Sequence, residues 1–122
     1  MNTKAPRKVI YDTDPGVDDA MALYFAIAHP GIELVGITTT FGNVSVDRAA
    51  TNALYLTAIA DQIVPVTKGV KTPWVKPGEP PPDFIHGADG LGNLPSRVAT
   101  TNVLDPRSSA QFIVDMARAQ PG

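Results

Sequence analysis

The chain has 122 residues, 43% of them apolar, which suits one folded domain with a modest core and is too hydrophobic for a disordered tail. Ten basic against twelve acidic residues leave a formal charge of −2, so neither the electrostatic footprint of a nucleic-acid binder nor a basic membrane-facing surface is expected. With no cysteine in the sequence, a disulfide framework and a thiolate centre are ruled out, and any metal falls to oxygen or imidazole donors, which favours a hard cation.

The opening segment, MNTKAPRKVIYD, lacks the apolar stretch of a signal peptide, and the longest nearly unbroken apolar run, AMALYFAIA (20–28), is too short to cross a bilayer. A cytoplasmic setting is the default expectation. KVIYD (8–12) is a β-branched and aromatic run that reads as a buried strand. From Val17 to about His29 the apolar residues Met21, Tyr24, Phe25 and Ala28 recur at three- and four-residue steps, a helix that HPG closes. ELVGITTTF (33–41) is a second strand, GNVS (42–45) a turn, residues 46–60 a second helix with Ala50, Leu54 and Ile59, and IVPV (63–66) a third, short strand.

Strand, helix, strand, helix, strand predicts an α/β fold: a doubly wound, mainly parallel sheet with right-handed crossover helices, in a single domain over 1–122. Residues 68–95 hold six prolines and five glycines without periodicity, a loop too long for routine connection and therefore expected to carry function. SSAQ (108–111) is a capping box that starts a last helix with Phe112, Ile113, Met116 and Ala117. The sequence ends at AQPG, where the alternation predicts another strand, so a longer fold is expected.

Two polar clusters fall beyond the strand ends, where an open parallel sheet binds its ligands: DTDPGVDD (12–19) after the first strand and FGN (41–43) after the second. Asp18 and Asp19 sit in the first turn of a helix, whose free N–H groups favour anions, and Pro15 and Gly16 suit the entry to it. Capping accounts for one or two carboxylates, not four in eight positions, which repel one another unless a cation lies between them. Ca²⁺ or Mg²⁺ suits such a site. Asp14 at the strand tip and Asp19 one helical turn later are placed to face one ion, Asp12 shares the Asp14 face by the two-residue strand period, and Asp18 points elsewhere, toward a ligand hydroxyl.

These stretches, DTDPGVDDAMAL (12–23), GITTTFGNVSVDRAATNAL (36–54) and HGADGLGN (86–93), resemble in order the N-terminal portion of the inosine-uridine preferring nucleoside hydrolases. The resemblance implies a Ca²⁺-dependent N-ribohydrolase acting on ribonucleosides, on a doubly wound α/β fold, working as a dimer or tetramer. It implies that Asp14 is a metal ligand and the base for the attacking water, Asp19 the second carboxylate ligand, and Asp12 close support. Asp18 and Asn43 would bind ribose hydroxyls, and His86 would act beside the substrate from the long loop. Family members are more than twice as long, and their later half brings further ligands and a histidine for the leaving base. A second expectation is therefore a fragment or split half without activity of its own.

A phosphatase of the haloacid dehalogenase type, with Asp12 as nucleophile, is a remote alternative, since its DxDGT pattern is broken by Pro15. An EF-hand starting at Asp12 would place Leu23 where a bidentate glutamate is required. His29 is expected to cap its helix, Trp74 either to pack the loop or to meet a partner, and Asp89 to stand on the rim of the site.

Overall fold

A computed structural model describes residues 4–97 and 102–121. Strand β1 is Arg7–Thr13, helix α1 Val17–Ala28, β2 Ile32–Thr39, α2 Val46–Ile59 and β3 Val66–Lys68; a single turn, α3, covers Asp83–His86, and α4 runs Ser109–Ala119. The three strands form one parallel sheet in the order β1-β2-β3. Residues Arg7 to Val9 pair with Ile32 to Leu34, a bulge skips one residue of β2, and Ile10 to Thr13 then pair with Gly36 to Thr39. That offset sets Asp12 opposite Thr38 and brings the last residues of both strands level at the rim.

Successive strand residues face opposite sides of a sheet, and Gly36 and Ile37 use the two sides differently. Ile37 is fully buried in a cluster with Leu23 of α1, Ala53 and Leu56 of α2 and Val66 of β3. Gly36 turns the other way, and a side chain there would collide with the ring of Phe112 from α4. Helices α1 and α2 therefore cover one face and α4 the other, the doubly wound arrangement expected from the sequence. On the α4 face Thr67 and Ser109 share a buried hydroxyl hydrogen bond of 2.8 Å, and the Arg107 guanidinium lies over the Phe112 ring at 4.9 Å. Helix α2 approaches the sheet closely because its buried stripe is small: Val46, Ala49, Ala50 and Ala53, with Leu56 beyond. Ser45 caps it, its Oγ accepting from the Arg48 N–H; Ser108 caps α4 by accepting from Gln111.

Three details differ from the sequence reading. Helix α1 buries Leu23 and Ala26, with Ala20, Tyr24 and Ile27 packed beside them, while Met21 and Phe25 are 70% and 62% exposed. In so apolar a helix two stripes compete, and the strand beneath selects one. The third strand begins at Val66 rather than Ile63: Pro65 has no N–H for a ladder, although its carbonyl accepts from Ile37 N–H, and Ile63 stands almost fully exposed. The long loop gives its first residue, Lys68, to β3 and contains the α3 turn. No helix of the described residues is long and apolar enough to cross a membrane.

Candidate active site

The chain leaves β1 at Thr13, turns through buried Pro15 and Gly16, and enters α1 at Val17. Glycine at 16 has no side chain to cap the helix; instead Asp19 Oδ2, three residues on, accepts the Gly16 N–H at 3.0 Å. The same oxygen receives Asn43 Nδ2 at 2.9 Å. Asn43, in the turn after β2, also donates its backbone N–H to Asp14 Oδ2 at 2.6 Å and Nδ2 to the Asp14 carbonyl at 3.2 Å. One asparagine thus clasps the two carboxylates that flank the turn. Gly42 is required beside it, because a side chain there would collide with the Asp14 carboxylate.

His86 arrives from α3. Its Nδ1 accepts the Val17 N–H at 3.2 Å and lies 4.0 Å from Asp18 Oδ1. A Cβ on Gly16 would come within 2.6 Å of that nitrogen and 2.9 Å of Asn43 Nδ2, so Gly16 is what lets the histidine and the asparagine close on the helix start. Burial pushes the Asp14 carboxyl above its usual range; the Asn43 N–H pulls it down, and the nearby charges of Asp19 and Asp18 push it up again. Asp12 is turned toward β2, its Oδ1 accepting from Thr38 Oγ1 at 2.6 Å. Next to Gly42 a cavity of about 280 Å³ opens, walled by Phe41, Pro73, Lys76 and Pro82.

Asp14, Asp19, Asn43, His86 and Asp18 are thus neighbours, and Asp12 stands on the adjoining strand face. Among the described residues no lysine or arginine forms an ion pair with Asp12, Asp14, Asp18 or Asp19. Hard oxygen donors without a cationic partner fit a divalent cation in kind. They fall short in number, for no three Asp, Glu or His side chains among the described residues group closely enough to hold a metal by themselves, and Ca²⁺ takes six to eight oxygens. Of the remaining candidates, His29 caps α1, its N–H bonded to the Phe25 carbonyl and its Nδ1 accepting from Gly31, and Trp74 is 88% exposed.

The contacts that hold the His86 loop are not announced by the sequence pattern. Asp89 accepts N–H bonds from Leu91, Asn93 and Leu94 and pairs with Arg97 at 3.3 Å. Burial opposes its ionisation, but those three N–H groups and Arg97 outweigh it and lower the carboxyl from 3.8 to about 2. Asn52, fully buried on α2, donates Nδ2 to both the Pro15 and Asp89 carbonyls and accepts from Arg97 at Oδ1. The available signal was an asparagine among Ala49, Ala53 and Leu56, a polar side chain on an apolar stripe; its partners lie 37 to 45 residues away.

A parallel sheet clad in helices on both faces, with an acidic turn at its rim, is the architecture of the nucleoside hydrolases. A solved purine-preferring ribonucleoside hydrolase from Gardnerella vaginalis superposes with a TM-score of 0.85 at 35% identity, over 92% of this chain and 36% of that one. The profile of the inosine-uridine preferring nucleoside hydrolases matches residues 9–122, and the chain belongs to that family. It is 45% identical over 117 residues to a probable uridine nucleosidase 2 of Oryza sativa subsp. japonica and 40% identical over 112 residues to an inosine-uridine preferring nucleoside hydrolase of Leishmania major. These alignments take in 94% and 91% of the chain but 34% and 35% of the relatives, so the chain spans about a third of their length. Membership of this family removes the phosphatase alternative built on Asp12.

Proposed function

We propose that this chain supplies the acidic half of a calcium-dependent site that hydrolyses the N-glycosidic bond of ribonucleosides. The observation that carries the reading is the clasp of Asp14 and Asp19 by Asn43, with His86 closed over the same helix start. In this reading Asp14 and Asp19 hold the ion, with Asp12 in support. When bound, the ion supplies positive charge beside the reacting water and the ribose diol.

Asp14 takes a proton from that water, whose oxygen bonds to the anomeric carbon as the bond to the base breaks. Burial by itself raises the Asp14 carboxyl; beside a bound cation, which favours the ionised form, it stays available as the proton acceptor. Negative charge around the sugar stabilises its oxocarbenium-like transition state. Asp18, 82% exposed at the side chain, is free to accept from a ribose hydroxyl. Asn43 has Nδ2 engaged and offers Oδ1. His86 uses Nδ1 as an acceptor, which leaves its proton on Nε2, the atom from which the departing base can be protonated.

A second reading is favoured by the two carboxylates being too few for a full calcium shell: the site is completed by residues outside this stretch, as the relatives' threefold length allows, and the stretch alone is inactive. The test is release of base from inosine and uridine by the protein as its own cells make it, before and after chelation and on recharging with Ca²⁺. Activity should vanish with the chelator and return with the ion, and Asp14→Asn should lower kcat by roughly a thousandfold or more, the scale of a lost general base with its electrostatic role. Chelator-resistant activity, or an active Asp14→Asn variant, rejects the assignment.

A further inference from the structure

We propose that Asn52, remote from the aspartate turn in sequence and buried behind it, is the positioning residue that sets where His86 stands; this rests on the site reading above. The side chain has no exposed surface. Its Nδ2 bridges the carbonyl of Pro15, inside the aspartate turn, at 3.2 Å and that of Asp89, inside the His86 loop, at 2.8 Å. Its Oδ1 is fixed by Arg97 at 2.8 Å, whose guanidinium also lies 4.9 Å over the Tyr55 ring. The orientation of the amide is therefore determined: both donors point to the two backbones it joins.

The loop is tied into one unit and meets the body at the Asn52 amide, at Arg97 and through Leu91, which packs against the core. Asp89 gathers the N–H groups of Leu91, Asn93 and Leu94, and the Gly92 N–H closes on the His86 carbonyl at 2.8 Å. Such a unit has no freedom to place His86 independently of Asp89. Gly90, at φ +80°, sits directly beneath the clamp, and a Cβ there would come within 3.0 Å of both Asn52 Nδ2 and the Pro15 carbonyl. The Asn52 amide is the direct bridge between Pro15 and Asp89, with Arg97 bracing the Asp89 side, and it sets with that distance the seat of the imidazole on the Val17 N–H.

Asn52→Asp keeps the size and the Arg97 acceptor but turns an oxygen toward two carbonyls, so the loop separates from the turn. In the ¹⁵N- and ¹³C-labelled protein the cross-relaxation between the His86 ring and the Gly16 protons should be lost, and the His86 nitrogens should shift from a fixed Nε2–H form to a tautomer mixture. Amides of β2 should stay in place. In the active protein kcat should fall by about a hundredfold, the scale of a displacement of about 1 Å at a catalytic group, with KM little changed. Should Asn52→Asp fail to fold, Asn52→Ala, which removes both donors without adding a repulsive oxygen, is read the same way. Retention of the His86 to Gly16 signal in the folded variant overturns the proposal, as does its loss with kcat unchanged. If the unaltered protein releases no base, the hydrolase reading fails while the magnetic resonance result still decides whether Asn52 seats His86.

Discussion

Asp89 shows how one carboxylate organises the loop that carries His86, and its titration carries a measurable signature. In the folded chain its pKa is held at about 2 against 3.8 when unfolded. A depressed carboxylate stabilises the fold fully above its unfolded pKa, and the contribution drains away as pH falls from about 4 toward 2. A difference of nearly two units at a side chain 15% exposed corresponds to about 2 kcal/mol. Urea unfolding at pH 5 and at pH 2.5 should show the unaltered chain losing about two-thirds of that amount more than Asp89→Asn, which has no charge to lose, the rest going only at still lower pH. Equal acid sensitivity in the two would count against it. From sequence Asp89 was readable only as a polar residue in a glycine-bearing loop, because its partners are backbone N–H groups that converge only once the loop has closed. Asp14, Asp18 and Asp19 were legible as neighbours because a strand end and a helix start join them locally, and Asn43 because adjacent parallel strands end side by side.

Helix α4 has one large apolar anchor, Phe112, fully buried where Gly36 leaves room for it, beside the Ser109–Thr67 hydrogen bond. Its truncation removes a ring from a fitted seat, so Phe112→Ala should cost about 3–5 kcal/mol. Ile113→Ala, at a position 43% exposed, should cost far less, and chemical denaturation of the two variants measures the contrast. Comparable losses would show that α4 packs through a broader surface. The capping serine and the periodicity place this helix correctly from sequence, and periodicity alone places α2. Helix α1 was located but its inner face was not, because Met21 and Phe25 offer as regular a stripe as Ala20, Leu23 and Ile27. Only the strands beneath distinguish the two. The limit of β3 at Val66 had the same origin: Ile63 and Val64 look like strand, and it is the missing N–H of Pro65 that delays pairing.

At the level of the molecule, alternation of strand and helix was enough to give the parallel sheet and the rim on which the acidic turn sits. What it could not give was the link between the two arms of the site, since Asn52, Asp89 and Arg97 meet only after α2 and the proline-rich loop have both packed. The aspartate turn is borne by β1, and β1 is an outer strand of the described sheet. On the side away from β2 its peptide groups form a ready template, guarded at one end by the charges of Arg7 and Lys8 and unguarded through Val9, Ile10 and Tyr11. Such a border invites zippering: a solution of this 122-residue chain should, as its concentration rises, gain scattering mass beyond the monomer, whereas any polypeptide that lays a further strand along β1 should seal the border and keep the scattering flat.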